Sequence, residues 1–440
     1  MTPSWFPASP PHDFWLRGAQ VPGAVLGGEA GEEDREGLVR IDLRITDGRI
    51  AAIAPAGTVR EGIDLDNGQV WPCFVDGHVH LDKTQTWHRQ PNPDGTHPGA
   101  KAAVIADRAR YYTEDDIEPR FEFGLRCALA HGTAAIRTHL DSYWPNARAH
   151  WSVFRRLRDA WSGRIDLQAA SICPLDRFAG DDGVALANEV ARSGGILGMT
   201  TTGEGGLAST AEFQALLDRF FGLAEERGLA LDLHLDETGD ATSRTLDAVA
   251  RTAVRRGFKA PIQVGHICSL SVRTDTEAMS TIALCAEAGL SVIVLPMVNM
   301  YLQGRQAGRT PRWRGITLVH ELRGAGVPVS FASDNCRDPF HAYGDHDMFE
   351  VYRDAVRIAH LDHPFGTWAA SVTATPAASC GFRDARRIAV GEVADLVLFR
   401  ARSMTELLAR PQHDRVVLRG GQVLDVELPD FRELDMVTGL

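Results

Sequence analysis

The chain has 440 residues, of which 44% are apolar and 24% are charged, and its formal net charge is −12. This composition is typical of a soluble globular protein with room for one large domain and a smaller one. The negative charge argues against a nucleic-acid partner, and no apolar window reaches the roughly 18 residues that a bilayer-spanning helix needs, so we expect no membrane partner either.

Cysteine usage and the N-terminus both bear on location. Seven cysteines are scattered along the chain without a Cys-x-x-Cys pair, which is typical of a reduced, cytoplasmic protein. Residues 1–11 contain neither basic residues nor an apolar run, so they do not resemble a signal peptide. We expect a cytoplasmic protein, and we also expect a homo-oligomer.

Both ends of the chain predict short β-strands separated by turns. The N-terminal part contains the hairpin signal Asp47-Gly48 between two alternating segments. Residues 391–424 repeat the pattern near the other end. One small β-sandwich domain built from residues 1–70 and 381–440 would explain the likeness, although two amphipathic strands can also look alike by chance.

Between the two ends, apolar strands alternate with amphipathic helices, and glycines follow many of the helices where a left-handed cap is expected. Eight strands in this rhythm predict an α/β fold with a (β/α)8 TIM barrel over residues 71–380. A doubly wound open sheet is the alternative, but no Gly-rich phosphate loop follows the first strand. The predicted strands are residues 73–80, 134–140, 166–172, 195–200, 230–235, 262–267, 291–295 and 327–332.

Two predicted loops lie at the presumed mouth of this barrel. Residues 86–113 form a long loop that contains His88, His97 and Arg108. It either covers the mouth and contributes to substrate choice or is an ordinary solvated loop. A second loop follows strand four and carries Glu204, for which we expect a substrate contact.

Histidines and a carboxylate occur at the C-terminal ends of the predicted strands, where a parallel barrel places its chemistry. His78 and His80 are two residues apart on strand one, so their side chains share one face. His234 ends strand five and Asp334 follows strand eight. Any one of them alone is more often structural, but three imidazoles and a carboxylate together suit a divalent transition metal.

Two more polar residues at strand ends suit proton chemistry. Glu237 lies just past the strand-five histidine and could carry protons, while His266 ends strand six and could polarise the attacked or departing group. Both would act next to the metal.

Five segments together resemble the amidohydrolase superfamily, and most of all its cytosine deaminase branch, which includes N-isopropylammelide amidohydrolase. They are residues 74–83, 234–237, 264–266, 296–305 and 333–339. The similarity runs from the flanking β-segments to strand eight. It implies the metal ligands His78, His80, His234 and Asp334, the catalytic residues Glu237, His266 and Asp334, and substrate contacts from Leu81, Leu175, Asn299, Gln303, Asn335 and Phe340.

The number of metal ions follows from lysine usage. Binuclear members of the superfamily bridge two metals with a carboxylated lysine at the end of strand four. This chain has Met-Thr-Thr-Thr at residues 199–202, and its lysines, Lys83, Lys101 and Lys259, lie elsewhere. The resemblance therefore implies one divalent ion, Zn²⁺ or Fe²⁺.

The implied activity is hydrolytic deamination of a small nitrogen heterocycle such as a pyrimidine or triazine. Hydroxide made on the metal would attack a ring carbon flanked by nitrogens, and Glu237 would protonate the ring and then the leaving ammonia or amine. Leu175 stands where cytosine deaminase has a glutamine and Asn335 where it has a second aspartate, which argues against cytosine. The alternatives are a cyclic amide or ureide hydrolase that opens the ring, and a non-catalytic metal-binding relative.

Overall fold

A computed structural model describes residues 5–28, 31–201, 207–384 and 386–439. It divides into two compact units by internal contacts. The first consists of Met1–Asp76, Arg126–Ala135 and Asp347–Pro429. The second consists of Gly77–Leu125, Ile136–His346 and Asp430–Leu440.

The first unit contains an eight-stranded sheet that takes strands from both ends of the chain. Its order is β16-β15-β14-β5-β1-β2-β3, with β4 beside β1. Strand β2 pairs antiparallel with β1 and with β3, and the hairpin at Asp47-Gly48 joins β2 to β3. The strands are β1 (Asp13–Pro22), β2 (Leu38–Thr46), β3 (Arg49–Pro55), β4 (Ile63–Asp64), β5 (Gln69–Pro72), β14 (Leu396–Phe399), β15 (Val416–Arg419) and β16 (Gln422–Val423).

All eight strands predicted for the central part of the chain are present. They form two parallel sheets, one in the order β13-β12-β11-β10-β9 and the other β6-β7-β8. Isolated parallel bridges pair Val79 with Asp334 and Ala170 with Ile196. The strands are β6 (Phe74–Val79), β7 (Thr133–Asp141), β8 (Asp166–Ile172), β9 (Leu197–Thr201), β10 (Leu231–Leu235), β11 (Ile262–His266), β12 (Ser291–Val294) and β13 (Val329–Phe331).

Helices alternate with these strands as predicted, which confirms the α/β character. Gly257 closes α6 with a φ of 60°, the left-handed cap expected there. The described helices are α1 (His97–Tyr111), α2 (Glu114–Ala130), α3 (Ala147–Ala160), α4 (Asp181–Arg192), α5 (Ala211–Glu225), α6 (Thr245–Arg256), α7 (Asp275–Glu287), α8 (Pro296–Leu302), α9 (Val319–Gly324), α10 (Met348–Ala359), α11 (Ala374–Cys380), α12 (Met404–Ala409) and α13 (Asp435–Thr438).

The prediction of a loop over residues 86–113 was wrong for most of that segment, because it contains α1. Thr96 caps the helix by accepting a hydrogen bond from the backbone N–H of Gly99. Pro98 lies in the first turn, where its missing N–H costs nothing. Pro98 and Gly99 therefore lie in the first turn of a helix.

A buried ion pair joins the side chains of β7 and β10 beneath the strand ends. Arg137 donates from Nη1 to Oδ2 of Asp232 at 2.9 Å, and Gln263 donates to the same oxygen. Burial raises the pKa of Asp232, but His139 and Arg137 outweigh it and lower that pKa to about 2, so the carboxylate is ionised.

Replacing Arg137 with methionine is expected to lower the free energy of unfolding by about 3–5 kcal/mol, because Asp232 is left as an uncompensated buried charge. Urea denaturation measures the change. Adding Asp232→Asn removes that charge and should recover part of the loss. As a matched control, Arg156→Gln breaks an exposed pair with Glu114 and should cost less than about 1 kcal/mol. Equal costs for Arg137→Met and Arg156→Gln would contradict the prediction.

In the described part of the chain, no helix combines the length and the apolar character needed to cross a bilayer.

Candidate active site

The predicted histidines and the aspartate converge at the carboxyl ends of the parallel strands. His78 lies in β6 and His80 directly follows it, while His234 lies in β10 and Asp334 follows β13. All four side chains are buried. Val79 at the end of β6 forms a parallel bridge with Asp334 after β13. This pairing brings His78 and His80 close to the Asp334 carboxylate.

The atoms that could bind a cation lie within a few ångström of one another. His80 Nε2 is 3.2 Å from Asp334 Oδ1 and 3.3 Å from His234 Nε2, and His78 Nε2 is 3.5 Å from Asp334 Oδ1. Possible ligand atoms of His78, His80 and Asp334 all lie within 4.8 Å of one another. This spacing brings them close enough to share one ion.

Several of these buried atoms have no hydrogen-bond partner, which costs free energy unless another group satisfies them. They include both ring nitrogens of His78, Nδ1 of His80, Nδ1 of His234 and both carboxylate oxygens of Asp334. Imidazole nitrogens and carboxylate oxygens are the donors that divalent transition metals prefer. The residues therefore fit a metal ion.

Protonation states agree with this fit. Burial lowers the pKa of His78, His80 and His234 well below the usual value, so the imidazoles are neutral, as metal binding requires. Burial raises the pKa of Asp334 to about 6, because a carboxylate in a dry pocket is costly without a cation.

The backbone is strained at two of the strand ends. His266 has a φ of 67° and Asp334 a φ of 62°, both in the left-handed region that non-glycine residues rarely occupy. Such conformations cost about 1–3 kcal/mol each and cluster at functional sites. Both side chains line the cavity of the candidate site.

Glu237 is presented by a turn that Asp236 holds. The buried Asp236 carboxylate accepts hydrogen bonds from Ser243, Thr245 and the backbone N–H of Leu246. These contacts fix the chain immediately after β10, so the next residue projects toward the neighbouring strand β11.

The two oxygens of Glu237 face different partners. Oε1 lies 3.4 Å from Nδ1 of His266 and accepts a hydrogen bond from Asn299 Nδ2 at 3.3 Å. Oε2 lies 3.4 Å from Nε2 of His97. Burial raises the pKa of Glu237, but His266 and His97 lower it to about 2 overall. Glu237 is therefore an ionised carboxylate that can accept a proton.

The candidate site opens into a cavity of about 700 Å³, counting the space at its mouth. Its lining includes seven of the predicted residues, together with several that the motifs did not identify. Its lining residues are His80, Lys83, His97, Lys101, Val104, Ile105, Arg108, Asp141, Tyr143, Ile172, Cys173, Pro174, Thr200, His234, Glu237, His266, Asp334, Asn335 and Phe340.

The predicted substrate contacts divide into three groups. Asn335 and Phe340 line the cavity, and Asn335 donates to the buried Asp338 at 2.5 Å. Within the described residues, the others predicted from the resemblance do not line it: Asn299 and Gln303 hold Glu237 instead, and Leu81 and Leu175 are buried. A substrate contact for these residues stays a prediction. The remaining one, Glu204, lies outside the described residues.

His139 is a residue that the sequence analysis missed. Its ring centroid is 3.9 Å from that of His78, and its Nε2 is 3.0 Å from Asp232 Oδ1. With His78 and His234 it forms a second set of possible ligands within 4.8 Å. The signal was present, because the polar run Arg137-Thr138-His139 lies inside an otherwise apolar strand.

Lys83 is also part of the cavity, although the sequence analysis gave it no role. Its Nζ is 3.8 Å from Asp141 Oδ1 and 5.1 Å from the centre of the Phe340 ring. Arg108 donates to the other oxygen of Asp141 at 2.9 Å from Nε. Burial raises the pKa of Asp141, but Arg108 and Lys83 lower it to about 2, so the cluster carries two cations and one anion.

Known proteins resemble this chain in sequence and in fold. Pterin deaminase from Rhizobium rhizogenes (strain K84 / ATCC BAA-868) is 49% identical over 98% of each chain. N-isopropylammelide isopropyl amidohydrolase from Pseudomonas sp. (strain ADP) is 24% identical over 87% of this chain and 93% of its own. The crystal structure of 5-methylcytosine deaminase from Klebsiella pneumoniae, liganded with 5-fluorocytosine, superposes with a TM-score of 0.80 at 23% identity, covering 94% of this chain and 98% of that one.

The family assignment rests on two of these similarities. The sequence model of the amidohydrolase family matches residues 171–425, more than half of the chain. The relative that is 49% identical extends the likeness over nearly the full length. The resemblance inferred from the motifs is confirmed: the chain belongs to the amidohydrolase family.

Proposed function

We propose that the protein is a metal-dependent hydrolytic deaminase that acts on a pterin, a two-ring nitrogen heterocycle with an amino group. The observation that carries this is the placement of Glu237, an ionised carboxylate at the cavity, beside His266, whose ring centroid lies 5.4 Å from that of His78 and 5.0 Å from that of His234 in the buried cluster. The name of the 49% identical relative, pterin deaminase, supports the choice of ring. The predicted class, a deaminase of a small nitrogen heterocycle, agrees with the names of the relatives.

His78, His80, His234 and Asp334 would hold one divalent ion, Zn²⁺ or Fe²⁺. When bound, such an ion lowers the pKa of a coordinated water toward neutrality. The absence of a lysine at the end of β9, where Thr200 lines the cavity, supports a single ion. Lys83 does not replace it, because its Nζ lies next to Asp141.

Glu237 moves the protons in this proposal. As an ionised carboxylate it takes a proton from the attacking water and gives it to the ring nitrogen beside the amino group. It then takes the second proton of the added oxygen and gives it to the departing amine. Asn299 assists by holding both partners, since its Nδ2 lies 3.3 Å from Glu237 Oε1 and 3.0 Å from His266 Nδ1. His266 faces the same cavity and orients the attacking oxygen.

Asn335 and Phe340 would contact the heterocycle. Both line the cavity, and together they offer an amide and an aromatic face, which suit the polar edge and the flat surface of a fused ring.

We also propose the finer features of the fold. The two parallel sheets would close into a (β/α)8 barrel over residues 71–380, which the isolated bridges Val79 to Asp334 and Ala170 to Ile196 support. The chain ends would form a β-sandwich from residues 1–70 and 381–440. A cytoplasmic location and a homo-oligomer stay predictions.

A product assay tests the proposed function. The purified, metal-loaded protein is incubated with pterin, guanine, cytosine and an aminated triazine, and ammonia is measured with mass spectrometry of the product. We expect ammonia and an intact ring from pterin, with an oxygen in place of the amino group. A new carboxylate without ammonia would instead identify a ring-opening amide hydrolase. No turnover of any compound would contradict the proposal.

A further inference from the structure

Helix α1 supplies one wall of the cavity. His97, Lys101, Val104, Ile105 and Arg108 line it, and their spacing places them along one face of the helix. The helix lies outside the residues that match the family model, 171–425. The resemblance to the family implied none of these five residues as site residues.

His97 is the residue of this wall that touches the proposed acid–base group. Its Nε2 lies 3.4 Å from Oε2 of Glu237, while His266 and Asn299 occupy the side of Oε1. The His97 ring also packs edge-on against Phe340, with 5.6 Å between centroids. Residues of β11 and α8 thus contact Oε1 of Glu237, and a residue of α1 contacts Oε2.

The charges around His97 favour its protonated form. Burial lowers the pKa of His97, but the carboxylate of Glu237 outweighs this effect, and the pKa of His97 is raised above its usual value. The other charged groups that face it are Lys101 on its own helix and Lys83 after β6, which both lower that pKa. Burial raises the pKa of Glu237, and His266 and protonated His97 in turn lower it.

We propose that His97 is a positioning residue for Glu237: it contacts Oε2, while His266 and Asn299 contact Oε1, and so fixes the orientation of the carboxylate. This inference rests on the proposed function, since it takes Glu237 as the proton carrier. No proton has to pass through His97, because the attacking water supplies the protons that Glu237 transfers.

The test separates the contact that His97 makes with Oε2 of Glu237 from the positive charge of His97. His97→Ala removes both, so kcat should fall about tenfold. The pKa of Glu237 should rise because the positive charge is lost, so the acidic limb of the pH profile of kcat/KM should move to higher pH by roughly one unit. His97→Gln keeps a donor near Nε2 but no charge, so kcat should recover while the limb stays shifted. His88→Gln, an exposed histidine that contacts Arg337, is the matched control and should match the wild type.

A titration independent of substrate completes the test. The pKa of His97, followed by NMR, should fall by roughly one unit in Glu237→Gln, because the anion is lost. An unmoved acidic limb in His97→Ala, an equal loss of kcat in both His97 variants, or an unchanged His97 titration in Glu237→Gln would overturn the proposal. If the protein fails to deaminate pterin, the titration still decides whether His97 and Glu237 are coupled.

Discussion

Replacing Glu237 with glutamine is expected to leave a folded protein whose kcat is about 10²–10⁴-fold lower, the range that general acid–base catalysis contributes. Glutamine keeps the shape of the side chain and can still contact Asn299, but it cannot accept a proton at neutral pH. Steady-state kinetics on the substrate that the product assay identifies measures the loss.

The control for this variant is Glu212→Gln, because Glu212 is exposed near the start of α5. It should keep the turnover of the wild type. Metal content and circular dichroism of Glu237→Gln should match those of the wild type, since Glu237 is not among the proposed ligands. Turnover within tenfold of the wild type in Glu237→Gln would show that another group carries the protons.

Asp334→Ala should lose both metal and activity. The carboxylate contacts His78 and His80 at the centre of the cluster, and its removal takes away the anion that balances the cation. A metal ion supplies several kcal/mol of transition-state stabilisation, so kcat should fall about a thousandfold or more. Elemental analysis of the wild type should return about one Zn²⁺ or Fe²⁺ per chain, and of the variant far less.

Chelation provides the independent check on the metal. Treating the wild type with a strong chelator should abolish turnover, and adding Zn²⁺ or Fe²⁺ back should restore it. Asp159→Ala, which removes an exposed carboxylate of α3, should retain its metal and activity. About two tightly bound ions per wild-type chain would contradict the single-ion site, and full metal content in Asp334→Ala would contradict its role as a ligand.

The eight central strands could be predicted because each is a short apolar run whose ends are marked by turn residues, and all eight are present. The cluster of His78, His80, His234 and Asp334 could be predicted for a related reason. One such residue alone is more often structural, but parallel strands bring their carboxyl ends together, so several polar side chains at those ends predict a shared site.

Contacts between distant segments were harder to predict. Lys83 gains its place in the cavity from Asp141 and Phe340, which lie far along the chain. His139 was overlooked because a buried histidine inside a strand is not distinguished by periodicity from a structural residue. Substrate contacts at Leu81 and Leu175 stay predictions, because a resemblance gives the position of a residue but not the direction of its side chain.

Helix α1 was missed for a local reason. Its first turn contains Pro98 and Gly99, which usually mark loops, and only the cap at Thr96 shows that they start a helix. For Asn299 and Gln303, the location could be predicted but the contact could not. Their place next to the site was predicted, but their contact with Glu237 depends on the orientation of α8.

The wall that α1 contributes has a consequence for how this enzyme can diversify. The proposed metal ligands and Glu237 lie on the strands or directly after them, whereas His97, Lys101 and Arg108 arrive on one short stretch of chain between β6 and β7. An insertion, deletion or exchange in that stretch would alter which rings the cavity admits without moving a single ligand. Substrate preference can therefore drift between descendants while the proposed metal ligands are inherited unchanged.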